Sequence, residues 1–156
     1  MIRTLLPLAL LLAGCLGPMP RPEADLDRLL EQAGARTSPS LGGRWLALIG
    51  RRQGRDQVQL IDLQQRLPVP VPGLNRADAQ PLSVAVDQRG ERLAVVRQRQ
   101  EHTELLLYRR SVMGSEPIPL EPAGVPRLVA IQADGRQLAV QVSRNGHWQV
   151  DLIPLP

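Results

Sequence analysis

The chain has 156 residues, of which 43% are apolar. This is enough for one domain with a core but not for a multi-domain enzyme. Only three residues are aromatic, two Trp and one Tyr, so the core must be built from aliphatic side chains. All 19 basic residues are Arg and oppose 15 acidic residues. A net charge of +4 is too small to indicate a polyanion-binding protein by itself.

Residues 1–14 have the three-part form of a secretory signal. One positive charge, Arg3, precedes an apolar run over residues 5–12, and small residues follow the run. The run is about half of the ~20 residues that a membrane-spanning helix needs. We therefore predict a lipoprotein signal peptide at residues 1–14 and no permanent protein anchor.

The segment Leu12-Ala13-Gly14-Cys15 resembles the bacterial lipobox, in which the cysteine is acylated and becomes the new N-terminus. Cys15 is the single cysteine of the chain. A free thiol or an intermolecular disulfide is the alternative, but neither accounts for the apolar run. Acyl chains on Cys15 would hold the protein on a lipid bilayer, at roughly 0.8 kcal/mol for each buried methylene. Since Leu16 rather than Asp follows, we expect the outer membrane over the inner one, with the domain facing the periplasm.

Residues 15–22 contain three prolines, which favour an extended tether. Residues 23–34 then predict a short helix, because Pro22 precedes a first turn that is rich in acidic residues. One face of this helix is apolar and carries Leu26, Leu29, Leu30 and Ala33. This stripe is expected to pack on the domain, and docking on a partner is the alternative.

From residue 38 onward the chain repeats itself. Three segments align without gaps and start at Gly43, Gly90 and Gly135, with leading leucines at Leu46, Leu93 and Leu138. Apolar residues follow twelve and fourteen positions later in each copy: Val58 and Leu60, Leu105 and Leu107, Val150 and Leu152. Each copy therefore predicts a half-buried hairpin after a glycine turn, with both strands facing one packed layer.

Alternating prolines follow the first two copies, at residues 68–72 and 117–120. Prolines at every second position remove hydrogen-bond donors from one side of a strand only, which suits an outermost strand. A polyproline-like linker is the alternative. With a further strand ahead of each glycine turn, each repeat of about 45 residues has four strands, as a β-propeller blade requires. The third repeat is expected to lack its fourth strand.

The segment 38–49, with Arg52, Gly54 and Asp62 after it, resembles the TolB-type, WD-like β-propeller repeat of bacterial envelope proteins. The Asp-Gly turn of that repeat is present at Asp134-Gly135 and absent or shifted in the other copies. The resemblance covers about residues 38–155. It implies an all-β fold of propeller-type four-stranded blades, the last one incomplete, joined to the short N-terminal helix.

The three predicted blades occupy about residues 38–72, 82–121 and 127–156, within a repeat region at 35–156. Closed propellers need about four to eight blades. Three blades therefore either remain an open stack whose ends the helix covers, or pair with a second copy into a six-blade ring.

An arginine recurs six residues after each leading leucine, at Arg52, Arg99 and Arg144. These arginines predict a basic rim for acidic partners or anionic lipid headgroups. The alternative is that each one stabilises its hairpin through hydrogen bonds to carbonyl groups.

Two histidines, His102 and His147, occupy equivalent points of the second and third hairpins. We include them in the possible binding rim with the three arginines. Two neighbouring blades lie too far apart for a pair of metal ligands, and the first copy has Arg55 at this point. We therefore expect neither a metal site nor a cofactor.

Motifs of catalysis are missing from the sequence. It has no glycine-rich phosphate loop, no recurrent carboxylate pair and no Gly-x-Ser-x-Gly turn, so we do not expect an enzyme. Aromatic residues that could stack on nucleic-acid bases are too few for that partner. The sequence predicts a membrane-anchored lipoprotein that acts as a TolB-like protein-interaction or scaffold module and binds an envelope protein. The alternative is a periplasmic propeller-like protein that binds or hydrolyses a small ligand, which needs a pocket.

Overall fold

Three antiparallel sheets follow one short helix in the computed structural model, which describes residues 21–156. The predicted signal peptide, Cys15 and all but the last two residues of the predicted tether lie outside the described residues. Within residues 21–156, no helix is both long and apolar enough to cross a membrane.

The helix is α1 (Ala24–Gln32). Blade 1 consists of β1 (Ala35–Gly42), β2 (Trp45–Arg52), β3 (Arg55–Asp62) and β4 (Leu67–Val69). Blade 2 consists of β5 (Ala79–Val86), β6 (Arg92–Arg99), β7 (His102–Arg109) and β8 (Gly114–Ile118). Blade 3 consists of β9 (Val125–Ile131), β10 (Gln137–Arg144) and β11 (His147–Pro154). In each blade, strands that follow one another along the chain are hydrogen-bonded neighbours.

The three leading leucines occupy the same register position in their blades. Leu46 lies opposite Ile61, Leu93 opposite Tyr108, and Leu138 opposite Ile153. All three leucines are buried. The glycine that starts each repeat has a positive φ, +57° at Gly43, +65° at Gly90 and +74° at Gly135. Glycine adopts this backbone conformation without steric cost, so it permits the tight turn into the second strand.

The prediction that both hairpin strands face one layer is wrong. Leu60 lies opposite Ala47, not opposite Leu46, so Leu46 and Leu60 point to opposite faces of blade 1. Leu60 contributes to the core between blades 1 and 2, whereas Leu46 packs beneath α1. The central hairpin strands of blades 1 and 2 are consequently buried on both faces rather than half-buried, because each blade is covered on both sides.

Two apolar layers hold the blades together. The layer between blades 1 and 2 includes Ala47, Ile49 and Leu60 from blade 1, with Leu93 and Tyr108 from blade 2. The layer between blades 2 and 3 contains mainly small aliphatic side chains: Ala85, Ala94, Val96, Leu105, Val129, Leu138, Val140 and Val142. The core is therefore mainly aliphatic, as the composition predicts, with Trp45 and Tyr108 as its aromatic members in the first layer.

Serine hydroxyls align each first strand with the first strand of the next blade. Ser38 Oγ accepts a hydrogen bond from the backbone N–H of Val84 at 3.0 Å. In the next blade, Ser83 Oγ accepts one from Val129 N–H at 3.2 Å. These bonds satisfy backbone donors that the sheets leave unpaired, and they repeat from blade to blade like the apolar residues.

The proline-rich segments form the fourth strands of blades 1 and 2, and these strands are short. In β4, Pro68 lies opposite Ile61, and in β8, Pro117 lies opposite Leu106. Val71 and Leu120 lie beyond the ends of these strands and pack against the two apolar layers instead. Blade 3 has three strands within residues 21–156, in agreement with the expected incomplete last blade.

Helix α1 covers the outer face of blade 1. Leu29 and Leu30 pack on Leu46, Leu48 and Ile61. Arg66, in the turn after β3, fixes the beginning of the helix by donating hydrogen bonds to Asp25 at 2.9 Å and Glu23 at 3.3 Å. The apolar stripe of α1 therefore packs on the domain, and α1 occupies the side on which a preceding blade would stack.

Candidate functional site: the hairpin rim

The five rim residues predicted from sequence lie at equivalent positions of the three sheets. Each central hairpin turns between its second and third strands, at residues 52–55, 99–102 and 144–147. Register pairs Arg52 with Arg55, Arg99 with His102 and Arg144 with His147. We call these three turns and the connecting segments 70–78 and 119–124 the hairpin rim.

Arg144 stabilises the hairpin rim of blade 3. Its guanidinium donates to the carbonyl oxygens of Pro122 at 2.7 Å and Ala123 at 3.3 Å. It also donates to the carboxylate of Asp151 at 2.9 Å from Nη1. This hydrogen bond from Arg144 lowers the pKa of Asp151. Arg144 therefore has the hairpin-holding role that the sequence left open as an alternative.

Arg99 is paired with an acid that the sequence analysis missed. Its Nε donates to Asp78 Oδ2 at 2.8 Å, and Arg76 Nε donates to Asp78 Oδ1 at 2.8 Å. The hydrogen bond from Arg76, reinforced by Arg99, lowers the pKa of Asp78 well below its ordinary range. Asp78 links the blade 1 to blade 2 connection to the second hairpin. No local sequence signal indicates this pairing, because Asp78 and Arg99 are 21 residues apart.

Arg52 differs from its two equivalents. Within residues 21–156, its guanidinium makes no side-chain hydrogen bond or ion pair, and the same holds for Arg51 and Arg55. All three side chains are exposed. The blade 1 turn therefore presents three exposed arginines without an ion pair in the described chain, which we call the blade-1 arginine patch; the nearest acid is Asp56, which lies opposite Arg51.

A polar cleft lies beside this patch, between the rims of blades 1 and 2. It has a volume of about 500 Å³ and is open to solvent. Arg51, Arg55 and Asp56 line one wall, and Asp78, Gln80, Gln98 and Gln100 line the other. Guanidinium and amide groups on both walls can donate hydrogen bonds to carboxylate or carbonyl oxygens.

His102 and His147 are exposed at the hairpin rim. Among the described residues, no group of three or more His, Cys, Asp or Glu side chains is arranged to hold a metal ion. A binding role for the two histidines stays a prediction.

Comparison with known proteins identifies the fold. No protein-family profile matches the chain, and no curated protein sequence matches it. Among solved structures, TolB from Acinetobacter baumannii matches with a TM-score of 0.60 at 14% identity, over 78% of this chain and 30% of that one. A protein assigned as TolB from Agrobacterium tumefaciens matches with a TM-score of 0.60 at 10% identity, over 74% of this chain and 44% of that one.

A third match is the β-propeller domain of the Trilobed protease from Pyrococcus furiosus, described as having an open velcro topology. It has a TM-score of 0.52 at 14% identity, over 77% of this chain and 42% of that domain. The chain thus spans less than half the length of each of the three structures. The chain has a TolB-like propeller fold, and the expected class of three open blades with a short N-terminal helix is confirmed.

Proposed function

We propose that this chain is a lipid-anchored interaction module of the bacterial envelope that binds a protein partner at its hairpin rim and catalyses no reaction. Lipidation at Cys15 would attach it to a membrane, the outer one in our proposal, with the blades in the periplasm. The TolB-like propeller fold supports an interaction module, since it provides repeated surfaces on a rigid scaffold.

The blade-1 arginine patch is the observation that carries the proposal. Arg99 and Arg144 at the equivalent positions are neutralised within the domain, by Asp78 and Asp151. Arg51, Arg52 and Arg55 form no such ion pair among the described residues, and Arg51 and Arg55 border the polar cleft. Exposed arginines without an ion pair in the described chain are available to steer and orient an acidic protein surface. The partner is therefore a protein with an acidic patch or an acidic extended segment.

The anchor is tested by mass spectrometry of the membrane fraction. We expect an N-terminus at Cys15 that carries acyl chains, and we expect Cys15→Ser to release the protein from the membrane. A Cys15→Ser chain that stays membrane-bound, with a wild-type protein of unmodified mass, would contradict lipidation.

The partner is tested by crosslinking in intact cells followed by identification of the captured protein. The double variant Arg52→Gln/Arg55→Gln should lose most of the crosslinked product. The matched control Arg89→Gln/Arg136→Gln removes two exposed arginines from the opposite rim and should leave it unchanged. Equal loss in both variants would mean that overall charge, not the patch, controls binding.

The polar cleft favours a second candidate, a binding protein for a small anionic ligand. Its guanidinium and amide groups are donors of the kind that such a site needs, and an anionic ligand must bind to them away from Asp56 and Asp78 in the same cleft. A small carboxylate that raises the melting temperature of the wild type but not of Arg51→Gln, with no protein captured in cells, would decide for this candidate. A captured protein without any ligand effect would decide against it.

A further inference from the structure

The outer face of blade 3 is an uncovered apolar surface. Register places Leu152 opposite Ala139, Val150 opposite Gln141 and Trp148 opposite Ser143. The first strand adds Leu128 opposite Gln141 and Val125 opposite Ser143. Directly opposed residues point to the same side of a sheet, so these side chains share one face. We call it the blade-3 open face.

The same repeat positions are core in the other two blades. Leu60 and Leu107 are 0% and 1% exposed, whereas Leu152, their equivalent, is 64% exposed. Val58 and Leu105 are each 2% exposed, whereas Val150 is 68% exposed. Five of the nine large hydrophobic side chains exposed in the described chain lie on this face: Val125, Leu128, Trp148, Val150 and Leu152. A concentration of this kind marks an interaction surface rather than scattered exposure.

The edge of the blade-3 open face is more apolar than the corresponding part of blade 2. Trp148 is equivalent to Thr103 in blade 2, because Trp148 lies two residues before Val150 and Thr103 lies two residues before Leu105. Leu128, opposite Gln141, takes the place of Ser83, which lies opposite Val96. A face selected to stay in water would change these positions toward polar residues. These two positions change toward large apolar residues, although Gln141 stands at the centre of the face where blade 2 has the buried Val96.

The charge distribution on this face permits a second copy of the chain as the cover. No register-paired position of the face on β9, β10 or β11 holds a charged residue. The nearest charge is Arg127, in the bulge of β9 at the position that Leu82 has in blade 2, so a two-fold contact must hold the two Arg127 side chains apart. The uncharged centre of the face also fits the charge-depleted core of protein interfaces.

The other end of the stack decides the geometry. A head-to-tail ring would pack the blade-3 open face on the outer face of blade 1 in a second copy. In this structure α1 occupies that face, with Leu29 and Leu30 on Leu46. Each chain therefore offers one free sheet face, and only a two-fold, face-to-face arrangement closes with one face per copy.

We propose that the blade-3 open face packs against the same face of a second copy of this chain, related by a two-fold axis. This inference depends on neither the Cys15 anchor nor a partner at the hairpin rim. Two packed sheets lie about 10 Å apart with their strands about 30° from parallel. The dimer keeps both hairpin rims exposed and so presents two blade-1 arginine patches.

The size of the face predicts a weak dimer. Three strands of up to eight residues cover about 27 by 14 Å, from ~3.4 Å per residue and ~4.8 Å between strands. Counted on both copies, the buried area is roughly 760 Å², below the roughly 1,000 Å² minimum of a stable specific interface. We therefore expect a dissociation constant in the micromolar range, about 1–100 μM.

Sedimentation of the full chain carrying Cys15→Ser, in mild detergent over a range of concentrations, tests the dimer. We expect a reversible monomer–dimer equilibrium, and Leu152→Glu should raise the dissociation constant at least tenfold. The matched control is Leu67→Glu, an exposed leucine of blade 1 that is 57% accessible, and it should leave the constant unchanged. A chain that is monomeric throughout, or two variants with the same effect, would overturn the proposal.

Tryptophan emission gives a second readout, which is not affected by the mass of detergent bound to the protein. Trp148 is 56% exposed in the single chain, whereas Trp45 is buried at 6%. On dimerisation the Trp148 emission should shift to shorter wavelength and lose accessibility to a quencher. Emission of Trp148→Phe, which reports Trp45 alone, should not change with concentration. A Trp148 signal that stays solvent-exposed in the dimer would place the interface elsewhere and overturn the proposal.

A variant of α1 separates the two-fold dimer from the head-to-tail ring. Leu30→Ala loosens the helix from the outer face of blade 1, which a ring would require to be free. The face-to-face dimer should keep its dissociation constant within twofold in this variant. Tighter association of Leu30→Ala would overturn our arrangement in favour of the ring.

Discussion

The two ends of the blade stack are completed in different ways. At the first end, α1 places Leu29 and Leu30 on the outer face of blade 1 and shields Leu46, Leu48 and Ile61 from water. At the other end, Val150 and Leu152 remain exposed although their equivalents in blades 1 and 2 are core residues. The same repeat position is therefore buried where another sheet or the helix covers that face of the blade, and it is exposed where no part of the described chain covers it.

This contrast shows how stability is distributed in a stack of repeats. Each blade contacts only its neighbours, so a residue contributes to stability through the layer in which it lies. The middle blade takes part in two layers, the first blade in one layer and a helix contact, and the last blade in one layer. The first three of the following predictions test that order, and the fourth concerns the ion pairs of the hairpin rim.

The largest expected effect is at the centre of the stack. Leu93 is 0% exposed in the layer between blades 1 and 2, so Leu93→Ala should lower the free energy of unfolding by about 2–5 kcal/mol. Leu46→Ala should cost less, because α1 covers Leu46 only in part. Urea melts measure both. A loss below about 1 kcal/mol for Leu93→Ala would mean that the blades are not tightly coupled.

Leu107 and Leu152 occupy the same repeat position, so one substitution at each compares a covered face of a blade with an open one. Leu107→Ala should cost about 2–5 kcal/mol because Leu107 is buried against blade 3. Leu152→Ala should change stability by about 0.5 kcal/mol or less at protein concentrations well below dimerisation. Chemical denaturation at about 0.1 μM protein, below the expected dissociation constant, decides it. Equal losses would show that the blade-3 open face is already covered within one chain.

The contact between α1 and blade 1 should give a smaller effect. Leu30 is half-buried on the outer face of blade 1, so Leu30→Ala should lower stability by about 1 kcal/mol. Arg28→Ala, on the exposed side of the same helix, is the control and should have almost no effect. Thermal melts measure the difference. An unchanged melting temperature for Leu30→Ala would mean that the helix adds nothing to the capped end.

The smallest effect is the acid dependence at the hairpin rim. The folded-state pKa of Asp78 lies below its unfolded value, about 3.9, because Arg76 and Arg99 hydrogen-bond its carboxylate. The stability that this depression contributes is therefore present above pH 4 and lost as the pH falls below it. Melting temperatures at pH 6, 4 and 2 should decline less in Asp78→Asn than in the wild type. Glu121→Gln, an exposed acid without an ion pair among residues 21–156, should follow the wild type.

Much of the fold could be predicted from the sequence because the repeat is local. Gly43, Gly90 and Gly135 mark the turns, and the spacing from each leading leucine to the third strand is constant. Strand positions and their order follow from these features. The face to which each residue points did not follow. Leu46 and Leu60 are both apolar, so a strand buried on two sides cannot be distinguished from a half-buried hairpin without knowing its neighbours.

The candidate site could be predicted only in part. Repeat spacing indicates that Arg52, Arg99 and Arg144 share one rim, and the register places them there. Which of them are neutralised depends on acids in other segments, since Asp78 reaches Arg99 from a connection between blades. The basic patch at Arg51, Arg52 and Arg55 is therefore visible only once these distant partners have been placed.

The sequence alone determined the number of blades, their strands and their aliphatic core, because glycine turns and alternating apolar residues act within a few residues of each other. Only the tertiary structure decided which faces are covered. Burial is a property of neighbouring sheets, and the same leucine position is 0% exposed at Leu60 and 64% exposed at Leu152. The capped end, the blade-3 open face and the free arginines of blade 1 all follow from that non-local arrangement.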